Sequence, residues 1–583
     1  MALPKLSADL LLLHAPAIFD FRSRRDIYFP FLGTSGAVPI TPLYEYFPVG
    51  FKSLRHYLSS HEFEVKIINL SSLMIRYPRI DVDQLINSLE VSLLGIDLHW
   101  MVHVQGCLEI AQRVKRLRPD ISVILGGISS TYYADELIKY PFVDMVMRGY
   151  DTHEPMLALL RAIRQGLEPR AVPNLMWKDA NGLIYDNDFS YKPRAFGCEV
   201  DWSSQPPTDA SLKAPIREVI PLLNAGCSRN CGWCGGSREA FKRIFRHDHS
   251  LISKPPETIN AELQSLQSLP GAENYYVYSV GAYNVPPGWM KSVLEWVEAS
   301  GVRSISYEQF NLTPDDILKR MAKANTRTTI TLSPESHDLK VATLAGRGVY
   351  TNQEMEAWIE RALDLGIHQV DVWYFIGMPE QDEVSVMGTV DYVQSLLRRF
   401  VGQGVNPMIC PMIPFLDPGS SFFEYPEQNG YRIFYRTVEQ HRRGMERASI
   451  INWTNYETRW LRRKDLVHVG YRAIKRVMEA KAETRALPTG VVKDYIARIN
   501  DAAEFVDVVH EVDQIDDPET RAKELEKLGD EIERRNNEII FSGVSNQAFP
   551  INRQIGGRWF DELGWDPEVL DAECQEADRV LDK

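Results

Sequence analysis

The stretch "NAGCSRNCGWCGGSRE", residues 224–239, decides how this chain is read. It places Cys227, Cys231 and Cys234 within eight residues, and no other cysteine lies within twenty-five residues on either side. Structural zinc takes four ligands, usually from paired C-x2-C or Cys/His sets, so a zinc reading has to recruit His247 or His249 from "RHDHS" downstream. An iron–sulfur cubane normally takes four cysteines. Three would leave one iron open, and an open coordination site is what a catalytic metal needs. Gly226, Gly232, Gly235 and Gly236 let the backbone wrap a bulky cluster and aim amide N–H groups at its sulfurs. Spacing and glycine content therefore favour an iron–sulfur site, with zinc the alternative.

The totals narrow the setting. The remaining four of the seven cysteines (Cys107, Cys198, Cys410, Cys574) are scattered, so no disulfide scaffold is expected. A net charge of −14 argues against a nucleic-acid binder, which would carry a basic stripe. No apolar run is long enough for a membrane span. The opening "MALPKLSADLLLLHAP" is too short in its apolar part for a signal-peptide core, which points to a cytoplasmic location. With 583 residues, 44% apolar and 25% charged, the chain is globular and has room for more than one core.

Outward from the cysteine stretch, two βα series are legible. Residues 1–165 alternate apolar strands ("LLLL" 10–13, "EVKIINL" 64–70, "VSLLGI" 91–96, "SVIL" 122–125, "VDMVM" 143–147) with helical patterns. Near-continuously apolar strands imply a doubly wound, Rossmann-like parallel sheet with ligands at the strands' carboxyl ends. Residues 166–215, including "DWSSQPPTDASLKAP", read as a linker. Between 216 and 430 six further strands, at 217–223, 274–280, 302–308, 328–332, 368–376 and 406–413, suggest an open, partial (β/α)6 barrel. The cysteine stretch follows the first of them, where βα barrels keep their chemistry. Residues 431–583 read as mainly helical, with Asp517 an N-cap ahead of Pro518.

The cysteine stretch in this position resembles the C-x3-C-x-φ-C signature of radical S-adenosylmethionine (SAM) enzymes. The resemblance implies that Cys227, Cys231 and Cys234 hold a [4Fe–4S] cluster whose fourth iron binds SAM, and that reductive cleavage yields a 5′-deoxyadenosyl radical. "SPESHD" (333–338) resembles the segment whose glutamate helps bind SAM, which points to Glu335; Ser, Pro and Glu also suit a helix start. "YFIGMPEQD" (374–382) resembles the turn that shapes the adenine pocket, with Gly377 and Pro379 its turn residues and Ile376 beside them. The "GGE" segment common after the second strand reads here "SVGAYN" (279–284).

A doubly wound domain ahead of such a barrel resembles the cobalamin (B12)-binding arrangement of B12-dependent radical SAM enzymes. "VILGGISSTYYADEL" (123–137) places Gly126 and Gly127 where that family lines the cofactor's nucleotide tail. The D-x-H-x-x-G motif that supplies a cobalt-ligating histidine elsewhere is missing, so the resemblance leaves the lower face of cobalt to a residue such as Arg76 or to solvent and gives His99 and His103 packing or polar-contact roles at the strand end. "GIDLHWMVHVQG", "LAGRGVYTNQEME" and "YETRW" are similar to an archaeal and bacterial subgroup of these proteins.

The reading that follows is a cobalamin-dependent radical SAM methyltransferase acting on a small molecule or peptide, fed electrons by a donor such as ferredoxin or flavodoxin. Cobalamin-dependent cyclisation or rearrangement shares every motif, and a non-catalytic iron–sulfur or cobalamin sensor would lack the downstream SAM segments. A zinc enzyme with a dinucleotide domain would need G-x-G-x-x-G after the first strand, where this chain has "HAPAIF". Tyr307, Glu308, Gln309, Asp371 and Tyr374 lie at or near strand ends, and the period of two sends only some inward. A side chain of the next helix, Glu257 or Glu262, could compete for the open iron.

Overall fold

Leu10 to Leu13 are all buried, yet they split between two cores: Leu11 and Leu13 join one hydrophobic cluster, Leu10 and Leu12 the other. Successive side chains of a strand point to opposite faces, so both faces of this sheet are covered. In the computed structural model, which describes residues 5–36, 39–40, 49–203, 217–219, 222–267, 275–279, 287–300, 304–324, 327–413 and 415–540, the first sheet contains β1 (Leu6–His14), β2 (Val65–Asn69), β3 (Leu89–Asp97), β4 (Ser122–Gly126) and β5 (Met145–Met147). They pair in parallel in the order β2-β1-β3-β4-β5. The order reverses between β1 and β3, which places a ligand crevice at their carboxyl ends. Two strands from the stretch expected as linker, β6 (Leu175–Lys178) and β7 (Ile184–Asp186), extend the sheet in antiparallel fashion.

The second sheet has six parallel strands in sequence order: β8 (Arg217–Val219), β9 (Tyr275–Ser279), β10 (Ser304–Gln309), β11 (Thr328–Glu335), β12 (Gln369–Ile376) and β13 (Val405–Pro411). This is the expected open βα arrangement. Along β12 Val370, Val372, Tyr374 and Ile376 are buried while the residues between them are half-buried. Tyr374 meets Tyr392 of the outer helix Glu383–Arg399, with ring centres 6.2 Å apart. Phe375, on the opposite face, meets Trp233 of the cysteine loop at 6.0 Å. The even residues thus face the helices and the odd ones the barrel interior. The register aligns Glu308, Thr331, Asp371 and Asn406 in one row, so Glu308 and Asp371 line the interior while Tyr307 and Tyr374 do not.

Beyond the barrel run the helices Arg463–Glu483, Thr489–Asp513 and Pro518–Ile540. Asp517 caps the last, its Oδ2 accepting from Thr520 N at 2.8 Å. The chain after β1 leaves its own domain and seats Tyr28, Phe29 and Phe31 among these helices: Tyr28 N donates to Ala448 O at 2.9 Å, and Phe29 N to Asn536 Oδ1 at 2.8 Å. Ser35 then covers the open edge of β13, its N donating to Ile409 O at 3.3 Å and its Oγ accepting from Ile409 N at 2.6 Å. No helix among the described residues is long and apolar enough to cross a membrane.

A buried ion pair ties the helix Pro256–Gln267 to the strand before it. Lys254 and Glu262 are fully enclosed and bonded to each other, and Trp202 Nε1 donates to Glu262 Oε1 at 3.2 Å. Removing one partner leaves an uncompensated buried charge, so Lys254→Met or Glu262→Leu alone is expected to cost ~3–5 kcal/mol in urea unfolding, and the double variant to recover most of that loss.

Candidate functional site

The cysteine loop is shaped from outside. It enters through a short ribbon pairing Asn224–Gly226 with Leu251–Ser253, and Cys227 N donates to Ser250 O at 2.8 Å. From there its backbone bonds to distant segments: Gly232 N to Ala345 O at 3.0 Å, Phe422 N to Gly232 O at 2.8 Å, and Asp417 N to Trp233 O at 3.2 Å. Gly346, at φ +94°, lies directly on the loop, where a Cβ would stand 2.8 Å from Cys231 Cα. Only glycine allows both that conformation and that approach.

The thiols fit a cluster better than a single ion. Cys231 is buried, which pushes its thiol up to about 12, and Cys227 and Cys234 are half-buried. Around one zinc, Zn–S bonds of ~2.3 Å would bring the sulfurs within ~4 Å of one another. Among the described residues the one group of cysteine, histidine or carboxylate ligand atoms that gathers within 4.8 Å is His14, Asp97 and His99, so the three thiols are spread wider. A cubane spreads them, since each cysteine holds a different iron. Arg229 N already points at Cys227 Sγ, at 3.3 Å. His247 packs against Tyr150 at 5.6 Å between ring centres and bonds within its own turn. Glu262 is taken by Lys254, and Glu257 is exposed.

Glu335 closes β11 and is wholly buried, with Oε1 2.9 Å from Arg347 Nε. Burial pushes its carboxyl up, against the pull of the guanidinium. Arg347 lies over the Phe310 ring at 3.8 Å, and Glu308 of the interior row acts on it electrostatically. Glu335 Oε2 and Arg347 Nη1 are buried with no protein partner among the described residues. Buried polar groups are normally paired, so these two atoms fit the amino, carboxylate or hydroxyl groups of a bound SAM. Gly377 N and Met378 N both donate to Gln381 Oε1, at 3.0 and 2.9 Å, while Gly377 O accepts from Tyr431 at 2.7 Å. Gly377 can therefore offer an adenine ring the shape of its turn, its own polar groups being engaged. The segment at 280–286 lies outside the described residues.

At the N-terminal crevice, Gly126 ends β4 with open space on its Cβ side. Gly127, at φ +112°, rests on the loop after β3: a Cβ there would come 2.9 Å from His99 Cα. Asp97, at the end of β3, bonds His14 Nδ1 at 2.9 Å and His99 Nδ1 at 2.5 Å. Burial opposes its charge, but the two imidazoles hold the Asp97 carboxyl well below the usual range. The open side of Gly126, beside polar strand ends, leaves room for the backbone to approach a bound cofactor's tail. Arg76 ends the helix Leu70–Arg76, and its side chain lies outside those described.

The two loops meet at one seam. The helix after the glycine pair (Ile128–Tyr132) and the helix after the cysteines (Arg238–Phe245) share a hydrophobic cluster in which Ile128, Tyr132 and Tyr150 pack on Phe241, Ile244 and Phe245. Tyr132 also donates to Glu424 at 2.6 Å. Sequence reasoning gives no role to Arg347 or to Asp417, whose Oδ2 accepts from Gly235 N at 2.9 Å and whose carboxyl burial pushes up to about 7. The one local signal for the first is the glycine on each side of Arg347; Asp417 carries none.

Two outcomes follow from this geometry. Gly346→Ala adds backbone strain of ~1–3 kcal/mol against the cysteine loop, and reconstituted protein is expected to lose iron and sulfide while its circular dichroism is kept. Burial, with the neighbouring His14 and His99, pushes His103 down to about 3, and burial pushes His441 down to about 4. The unfolded chain takes up these protons near pH ~6.5 and the folded chain does not. Stability is therefore expected to fall as the pH drops below ~6.5, by ~1.4 kcal/mol per pH unit for each histidine. Urea midpoints between neutral and mildly acid pH check this, and His103→Gln should flatten its share.

The family model of the B12 binding domain matches residues 37–158, and that of the Radical SAM superfamily matches residues 222–393. No curated protein sequence matches the chain. Among solved structures, TsrM from Kitasatospora setae, a radical S-adenosylmethionine methyltransferase with cobalamin and a [4Fe-4S] cluster bound, is 15% identical with a TM-score of 0.51, covering 74% of this chain and 81% of its own. OxsB, a cobalamin-dependent S-adenosylmethionine radical enzyme with aqua-cobalamin and S-adenosylmethionine bound, is 11% identical with a TM-score of 0.52, covering 98% and 81%. At these identities the likeness speaks for the fold, and the two domain matches fall on the two sheets whose loops meet at the seam. The chain thus carries a B12 binding domain ahead of a Radical SAM superfamily domain.

Proposed function

We propose that this protein is a cobalamin-dependent radical SAM methyltransferase, moving the methyl group of SAM to an unactivated carbon of a small molecule or peptide. The observation that carries the reading is the seam itself. The glycine pair and the cysteine loop sit on separate domains, yet the helices that follow them pack on each other, so ligands of the two loops would share one enclosure. The solved relative TsrM is a methyltransferase of this fold.

The residues divide the work. Cys227, Cys231 and Cys234 hold the cluster, with Gly346 and Phe422 fixing the loop around it. Arg347 sets a positive charge beside the thiolates and beside Glu335. Glu335 Oε2 and Arg347 Nη1 take up polar groups of SAM. Gly126 and Gly127 seat the corrinoid's tail, and Trp233, Phe375 and Trp373 form a run of adjacent aromatic rings beside the cysteine loop. With the cofactors bound, the cluster supplies the electron that cleaves SAM and the corrinoid supplies a carrier for its methyl group. The electron comes from a small donor protein such as ferredoxin or flavodoxin.

Anaerobically reconstituted protein is expected to carry about four irons; the triple variant Cys227→Ala/Cys231→Ala/Cys234→Ala should carry none. Given SAM labelled in its methyl group, cobalamin and reductant, it should move label into the corrinoid fraction, and Glu335→Gln should weaken SAM binding. Release of 5′-deoxyadenosine while the label stays on methionine would point to cyclisation or rearrangement instead.

A further inference from the structure

The helix that follows the cysteine loop, Arg238–Phe245, has two unlike faces. Phe241, Ile244 and Phe245 are buried in the seam. The other face, continued by the capping residue Arg246, shows Glu239, Lys242, Arg243 and Arg246 at i, i+3, i+4 and i+7, all exposed or half-buried. The helix starts and its chain returns at the thiols: Ser237 N donates to Cys234 O at 3.2 Å, and Cys227 N to Ser250 O at 2.8 Å. Eight helical residues span ~12 Å, so the charged face stays close to the cysteine loop along its whole length.

The cations continue beyond the helix. Lys192, from the segment after the first sheet, donates to Arg246 O at 2.7 Å, and both side chains lie over the Phe189 ring, at 5.6 and 5.7 Å. Arg243 donates to Gly419 O at 2.6 Å and covers Tyr425 at 5.5 Å, a ring that is 48% exposed. Arg436 donates to Phe423 O at 2.8 Å and acts with Arg243 on Tyr132 electrostatically. Among the described residues no carboxylate pairs with Lys192, Lys242, Arg243, Arg246 or Arg436. The acids at the border are Glu239, paired with Arg238 at 3.2 Å, Glu424, which accepts from Tyr132 at 2.6 Å, and the exposed Asp248. Uncompensated cations thus gather beside the thiols of a chain whose net charge is −14.

A field of this kind steers an oppositely charged partner and fixes its orientation. Tyrosine and arginine are also enriched where proteins meet. We propose that this face, centred on Lys242, Arg243 and Arg246, is the docking surface for a small acidic protein that carries one electron to the cluster. The inference rests on the reading that the three thiols hold an iron–sulfur cluster, and it adds where the donor sits and which charge it bears. One electron leaves the carrier and enters the cluster; no bond, proton or group moves. Lys192, the helix and Arg436 come from three segments brought together at the seam, so the surface is complete only when the first domain and the barrel are docked.

The test uses the full-length reconstituted protein, an acidic flavodoxin as probe, and the triple variant Lys242→Glu/Arg243→Glu/Arg246→Glu. Binding is read by calorimetry at low and high salt, and cluster reduction by stopped-flow absorbance with flavodoxin hydroquinone or with dithionite. The wild type is expected to bind flavodoxin and to lose about 10-fold or more of that affinity at high salt, as the field is screened. At low salt the variant should lose as much and be reduced about 10-fold more slowly by flavodoxin, while dithionite reduces both proteins alike. If circular dichroism shows the triple variant unfolded, Arg243→Gln/Arg246→Gln takes its place with the same direction expected. Four results overturn the proposal: no flavodoxin binding at low salt, binding that ignores both salt and the variant, equal binding of the basic carrier cytochrome c, or tighter binding of a single-stranded oligonucleotide. Protein that holds no iron refutes the iron–sulfur reading instead, and calorimetry still reads the docking surface in that protein.

Discussion

The contact between Gly346 and the backbone of Cys231 is the constraint on which the site depends. The cysteine loop has almost no regular structure of its own: a three-residue ribbon leads into it and a short helix leaves it. Its shape is imposed by the turn at 345–348, by Phe422 and by Asp417, all bonded to it through backbone groups. The same turn delivers Arg347 to Glu335. One close approach of two backbones thus sets both the spread of the thiols and the polar corner at the end of β11.

The second dependency is the exchange of segments between domains. The excursion after β1 buries Tyr28, Phe29 and Phe31 among the C-terminal helices and lends Ser35 to the edge of β13. An open parallel barrel has an exposed edge that needs covering, and here part of that cover comes from the first domain. The C-terminal helix Arg463–Glu483 adds Lys481, which is buried against Asn406, itself 3.0 Å from Asp371 in the interior row. Burial pushes Lys481 down to about 7. The first domain is tied to the barrel by the bonds of Ser35 to Ile409 as well as by the hydrophobic seam at Ile128, Tyr132 and Phe241.

What could be read from the chain follows the reach of each interaction. Apolar runs such as "LLLL" and "VSLLGI" form strands because burial on both faces is a local demand, and each expected strand has its counterpart among β1 to β5 and β8 to β13. The cap at Asp517 was equally local. The interior row was not: that Glu308 and Asp371 share a face while Tyr307 and Tyr374 do not depends on register between strands far apart in sequence.

The two βα series, the three thiols and the glycine pair are legible along the chain, since they are written in periodicity and in spacing over a few residues. Folding across the chain brings Arg347 to Glu335, Asp417 to the cysteine loop, and His14 to the Asp97 that also bonds His99. The reason is physical. A side chain's accessibility and hydrogen-bond partner are set by what packs on it from elsewhere in the chain, and neighbours in sequence, such as Asp97 and His99, bracket His14 only once β1 and β3 lie side by side.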